Sequence, residues 1–298
     1  MEDFKIYLSF DIDQDFDPGS NDYYNRSKAS FKSFGDGFSD IIDRLEGLPF
    51  SVFVRSDFQI KSVYGSYEYL VLNNKSLVDK IVLSGGELDW HIHLYKTEKG
   101  KWVQVTDNSE IAERFLIDYS EVKKCNCVNT EVVRIGECVM NDTLMNAIAR
   151  MGIKIDSSAL PGRKRNDKEK FFDWSITSNR FYNPSKSDYR IESNDNYQLI
   201  EVPMSTLLMK AEYDNEAVRR YFNLSFKTEI LFQNFESYVK ENDSLVVITH
   251  PFEVLSEGKH GLISYNIKTF ENNIKLLMDK VVSFGKNPSF HKISSIIG

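Results

Sequence analysis

The sequence predicts a parallel α/β barrel, and three observations carry that prediction. Short apolar runs alternate with helical patterns along the whole chain, the order that builds a parallel sheet. Nearly every apolar run passes straight into Arg, Asp or His, and a parallel barrel keeps its active site at that end of its strands. Two of these ends carry paired groups, Asp11-Ile12-Asp13 and His91-Ile92-His93. Side chains two apart on a strand share a face, so each pair can point one way.

The elements follow in order. Residues 5–10 form the first candidate strand, and a helical pattern covers 38–45. The strand at 50–54 runs into Arg55-Ser56-Asp57, and a short helical stretch at 76–83 leads to the strand at 88–92. A helix at 111–122 precedes the strand at 131–133, which opens onto Arg134. Asn141-Asp142 caps a helix over 143–150 that Gly152 stops. Next come a strand at 153–155 with Asp156-Ser157-Ser158 behind it, and strands at 199–202 and 245–248, the last running into Thr249-His250-Pro251. The segment 216–239 reads as one or two helices and 267–284 as a long amphipathic one.

Two segments stand outside the alternation. Residues 15–32 are polar and turn-rich (Asp17-Pro18-Gly19-Ser20-Asn21), as expected of a loop over a barrel mouth. Residues 163–196 are poor in aliphatics but carry Phe171, Phe172, Trp174, Phe181, Tyr182 and Tyr189. A long insertion of this kind usually has a function; its rings could stack on a sugar or pack on the barrel. With no repeat, linker or low-complexity tract, one domain over 1–298 is expected.

Composition excludes several classes. At 41% hydrophobic and 27% charged, the 298 residues have the balance of a soluble globular protein. A net charge of −7 argues against nucleic acid or an anionic membrane as the main partner. No run approaches the roughly 20 apolar residues of a membrane span. The acidic start, Met1-Glu2-Asp3, leads directly into strand 1, so no signal peptide is expected. Three cysteines fit a reduced, cytoplasmic setting, and Cys125-Asn126-Cys127 lacks the second pair a zinc site would need.

Two Asp and two His at strand ends make a ligand set suited to Zn²⁺ or a similar divalent ion, and such sites do hydrolytic chemistry when one position stays open. A solitary His-x-His is more often coincidence, but acids and His250 at other strand ends reverse that balance. His250 alone could be a structural residue before Pro251, and His260 and His291 read as structural. Arg55 and Asp57 either serve a ligand or pair with each other.

The motifs also resemble a known family. Ser9-Phe10-Asp11-Ile12-Asp13 and Gly85-Gly86-Glu87-Leu88-Asp89-Trp90-His91-Ile92-His93 are similar to the first two motifs of the polysaccharide deacetylase (NodB-homology, carbohydrate esterase family four) superfamily. Pro49 to Val54, Arg134-Ile135-Gly136, Met151 to Ser158, Leu199 to Pro203 and Ile248-Thr249-His250-Pro251 resemble its remaining blocks, in order, across about residues 5–255. The resemblance implies a distorted (β/α)7 barrel, a divalent metal (zinc the first choice) and removal of N- or O-acetyl groups from a sugar or polysaccharide precursor. It implies Asp11 as catalytic base and Asp13, His91 and His93 as metal ligands, with exchange of the two Asp roles left open. Arg134 would pair with the base, and His250 would protonate the leaving group. Arg55, Asp57, Tyr95 and Trp174 are the candidate substrate-binding residues.

Three departures mark a divergent branch. Ile12 separates aspartates that the family places side by side. The second metal histidine is His93, where the family pattern would put it at position 95, here Tyr95. Gly136 replaces the proline of the arginine motif. Two alternatives remain at this stage: a catalytically inactive, metal-containing carbohydrate-binding relative, and an amidohydrolase-type metal hydrolase. The latter needs further histidines on later strands, and none lies between His93 and His250.

Overall fold

The apolar run that opens the chain becomes β1 (Glu2–Ile12), buried from Lys5's neighbours to its C-terminal end, and the sheet is arranged about it. The computed structural model describes residues 1–15, 30–166, 171–256 and 261–298. Six further strands join β1: β2 (Phe50–Arg55), β3 (Gly86–Ile92), β4 (Asn129–Ile135), β5 (Ile155–Asp156), β6 (Ile200–Glu201) and β7 (Ser244–Thr249). They pair in the order β6-β5-β4-β3-β2-β1-β7, and every pairing is parallel. The gap between β6 and β7 is bridged by irregular chain. Ser205 N–H donates to the Val246 carbonyl at 3.1 Å, and Ile248 N–H to the Phe222 carbonyl at 3.1 Å. The result is the parallel α/β barrel expected from the alternation, in the distorted (β/α)7 form that the resemblance implied.

Eight α-helices of five or more residues surround the sheet among the described residues: α1 (Phe38–Arg44), α2 (Phe58–Tyr64), α3 (Lys75–Leu83), α4 (Asn108–Cys125), α5 (Asp142–Arg150), α6 (Phe235–Glu241), α7 (Pro251–Leu255) and α8 (Ile267–Ser283). Their ends carry ordinary start and stop chemistry. Asn141 Oδ1 accepts the Leu144 N–H at 2.7 Å to cap α5, and Gly152 leaves that helix at φ +75°, a conformation that a Cβ would oppose. Trp90 faces outward from β3, packs on Phe115 and Tyr119 of α4, and gives its indole N–H to the Ser56 carbonyl at 2.8 Å. All three cysteines are free, and no described helix is long and apolar enough to cross a membrane.

The structure departs from the sequence expectation at β8 and in the segment 216–239. An eighth strand, β8 (Lys286–His291), pairs in parallel with the lower half of β1, Glu2 to Tyr7. Its sequence, Lys-Asn-Pro-Ser-Phe-His, has no apolar run, and Pro288 is tolerated because β8 is paired only with β1. The segment 216–239 is not purely helical. Val218–Tyr221 forms a hairpin with Thr206–Met209, and only then do a short turn (Thr228–Leu231) and α6 follow. Of the two uses left open for the aromatic insertion, packing is the one its rings take: Phe172, Trp174, Tyr182 and Tyr189 are all buried. His260 and most of the 15–32 loop lie outside the described residues.

Candidate metal centre

Strand register brings the candidate residues together. Arg55 of β2 lies opposite His91 of β3, and His91 opposite Arg134 of β4, so these side chains leave the sheet on one face. One layer lower, Asp11 of β1 lies opposite Phe53, and Phe53 opposite Asp89. Asp13 and His93 are the first residues after Ile12 and Ile92, where β1 and β3 end. Parity along two strands therefore puts both carboxylates and both imidazoles around one opening.

His93 Nε2 lies 2.9 Å from Asp13 Oδ1, and His91 Nε2 lies 3.5 Å from the same oxygen. The two Nε2 atoms are 3.1 Å apart. The opposite ring nitrogens are held. His91 Nδ1 meets the Arg134 carbonyl at 2.8 Å. His93 Nδ1 meets the Tyr95 hydroxyl at 2.8 Å, whose own proton goes to Glu137 Oε1 at 2.9 Å. With both Nδ1–H groups donating, both Nε2 lone pairs converge on Asp13, the tautomer that a metal-binding imidazole needs. Donor atoms of Asp13, His91 and His93 all lie within 4.8 Å of one another.

Charge favours the same use. Burial opposes the charge on Asp13, but the two imidazoles, His93 foremost, hold its carboxyl well below the usual carboxylate range. Burial, reinforced by the Arg55 guanidinium, pushes His93 down to about 4. Near neutral pH the centre thus offers a carboxylate beside a neutral imidazole, with one hard oxygen and two nitrogens close together. That donor set fits a divalent ion.

Asp11 is placed differently. Arg134, fully buried and lying 3.9 Å from the Phe53 ring centroid, holds Asp11 Oδ1 with Nη1 at 2.5 Å. Its Nε donates to the Ser157 carbonyl and its Nη2 to Ser157 Oγ, each at 2.8 Å. Asp11 and Asp13 border the same cavity of about 230 Å³ together with His91 and His250, but Asp11 is absent from the three-residue donor cluster.

His250 reaches in from the start of α7. Its Nε2 faces Asp13 Oδ2 at 3.7 Å, and its Nδ1 lies 3.2 Å from Glu253 Oε2. Glu253 Oε2 also takes the His250 backbone N–H at 3.1 Å and the Asn223 amide at 2.7 Å. Burial works against an imidazolium here, yet Glu253, then Asp13 and Asp11, raise His250 to about 9.

Four of the proposed substrate-binding residues are placed otherwise. Arg55 is engaged by Asp57 at 2.5 Å, Gln59 at 2.8 Å and Asp13 at 3.4 Å. Asp57 is fully buried, capping α2 through the Ile60 N–H and accepting the His93 backbone N–H at 3.1 Å. The pair braces Asp13 and His93 from behind. Tyr95 is only 2% exposed and orients His93. Trp174 is fully buried, with its indole N–H on the Cys138 carbonyl at 2.9 Å and its ring edge against Tyr189. It has no open face for a sugar.

Sequence reasoning missed Gly136, Glu137 and Glu253. The last was signalled, since His250-Pro251-Phe252-Glu253 has Pro at the first helical position and Glu at the third. Gly136 was noticed only as a missing proline. A Cβ there would overlap Cδ2 and Nε2 of His93, so the His93 ring can sit where it does only beside a residue without a side chain. The two residues after it, Glu137 and Cys138, hold φ of +58° and +57°, a region that non-glycine residues seldom adopt.

No protein-family model matches the chain, and no curated protein matches it. Among solved structures, it is similar to a proposed polysaccharide deacetylase from Mycobacterium smegmatis at 13% identity, covering 98% of this chain and 88% of that one with a TM-score of 0.47. A family 4 carbohydrate esterase from Streptomyces lividans, in complex with acetate, is similar at 10% identity over 98% and 94%, TM-score 0.40. A family 4 pseudoenzyme from Bacillus anthracis is similar at 9% identity over 99% and 66%, TM-score 0.43.

Proposed function

We propose that this chain is a divergent polysaccharide-deacetylase-type enzyme, a metal-dependent hydrolase that removes an acetyl group from a sugar or polysaccharide precursor. The observation that carries the reading is the different setting of two aspartates at the end of β1. Asp13 shares a cluster with His91 and His93, whereas Asp11 is tied by one oxygen to Arg134.

Asp13, His91 and His93 would hold a divalent ion, zinc the first choice, which when bound supplies Lewis acidity that polarises an acyl oxygen and acidifies water. Arg134 fixes Asp11 Oδ1, leaving Oδ2 to take a proton from the attacking water. His250, charged near neutrality and aimed at Asp13 by Glu253, donates a proton to the leaving amine or alcohol. Arg55 and Asp57 keep Asp13 and the His93 backbone in place. Substrate in the cytoplasm, as a precursor of a surface polysaccharide, belongs to the same proposal.

Acetate release from a panel of acetylated mono- and oligosaccharides tests it. The metal-loaded protein is expected to release acetate, with a loss on the order of 10²–10⁴-fold in Asp11→Asn and His250→Ala. If the parent and both variants are equally inert across the panel while sugar binding persists, the chain is a binding protein and the hydrolase reading fails.

A further inference from the structure

The cavity that reaches Asp11, Asp13 and His91 extends away from them to Arg163 and Arg165. Leu160, Arg163 and Tyr221 are shared with an adjoining hollow of about 570 Å³ bordered by Lys164, Arg219 and Arg220. A chain of net charge −7 thus collects five cations beside its candidate centre. They come from two segments outside the barrel alternation, Arg163 with the short strand Lys164–Asn166 that follows it, and the hairpin strand Val218–Tyr221.

Among the described residues, two of the five have no carboxylate counterion. Lys164 meets Asp173 at 3.0 Å and Arg220 meets Asp214 at 3.0 Å. Arg163 donates instead to the Arg219 carbonyl at 2.5 Å, and Arg219 to the Thr206 carbonyl at 3.5 Å. Among the described residues, neither has a carboxylate partner. Burial, together with the Arg220 and Arg165 guanidiniums, pushes Arg163 below its ordinary value. Each guanidinium has five donors in a planar fork, so two forks without anionic partners beside a reaction centre call for an anion. A phosphoryl group matches that fork bidentately.

We propose that the substrate is an acyl sugar bearing a phosphate or diphosphate, its acyl group at the Asp13, His91 and His93 centre and its phosphoryl group between Arg163 and Arg219. This rests on the hydrolase reading for the acyl end only. Nucleoside diphosphate sugars and polyprenyl diphosphate sugars share the required chemistry.

Binding and turnover test the two halves separately. Calorimetry on the full chain carrying Asp11→Asn compares N-acetylglucosamine with N-acetylglucosamine 1-phosphate. The phosphorylated sugar is expected to bind at least tenfold more tightly. That advantage should disappear in Arg163→Gln/Arg219→Gln and largely survive in Arg163→Lys/Arg219→Lys, with melting temperatures reporting that each variant folds. Equal binding of the two sugars, or an advantage that survives the double Gln change, overturns the proposal. In turnover, kcat/KM on a nucleoside diphosphate sugar or a detergent-solubilised polyprenyl diphosphate sugar should exceed that on neutral chito-oligosaccharide, and the better of the two names the source. Equal or higher kcat/KM on neutral or uronate-bearing acetylated oligosaccharides overturns it. Should no substrate release acetate, the hydrolase reading fails while calorimetry still decides the phosphoryl site.

Discussion

His93 rests against the bare Cα of Gly136, and this close approach is what leaves its ring room at the candidate centre. The ring lies between Asp13 on one side and the Tyr95 hydroxyl on the other, with Gly136 beneath. Gly136→Ala should push the ring off this line. Loss of such a supporting contact typically weakens metal affinity about 10–100-fold, measurable by competition with a chromogenic chelator. In a His93→Ala background the same change should add nothing. An unchanged affinity in Gly136→Ala would show that the ring is positioned by its hydrogen bonds alone. This dependence was invisible in the sequence, because it is a close approach between residues just past the ends of two neighbouring strands. The ligand pair itself was legible, since parity along one strand decides which side chains share a face.

At the scale of elements, α4 carries a charge that the fold does not welcome. Asp118 is fully buried, accepting the Tyr67 hydroxyl at 2.9 Å and the Phe58 N–H at 3.4 Å. Burial, and then Asp57 nearby, raises its carboxyl from 3.8 to about 7. The folded protein therefore keeps a proton that the unfolded chain loses. The stability tied to that proton is fully present below about pH 4 and is lost as pH rises through about 7. Asp118→Asn keeps an acceptor for Tyr67 without the charge. Urea unfolding between pH 4 and 7 should show the variant gaining on the parent by up to about 1.4 kcal/mol per pH unit. A stability difference that does not change with pH would contradict the assignment. The central strands were legible from their apolar runs, whereas β8 and the Val218–Tyr221 strand were not. Both are short, polar and paired with one strand only, so neither needs the apolar pattern that a doubly covered strand shows.

Across the whole molecule, the seven-strand sheet collects residues far apart in the chain at one mouth. Arg134 touches Ser9 and Asp11 of β1 and Ser157 after β5, and His250 reaches Asp13 from beyond β7. The sequence showed this clustering because polar groups recur at strand ends. It did not show which arginines and aromatics face solvent. Trp174 turned inward to the Cys138 carbonyl, while Arg163 and Arg219 remained beside the cavity. Such outcomes depend on how insertions pack, which carries no period to read.

The division of labour between Asp11 and Asp13 is tested most directly by zinc stoichiometry, measured in the purified parent, Asp11→Asn and Asp13→Asn. The parent and Asp11→Asn should each retain one equivalent, and Asp13→Asn should lose most of it. Loss of zinc from Asp11→Asn with retention in Asp13→Asn, or equal retention in both, would contradict the assignment of Asp13 to the metal and Asp11 to proton transfer.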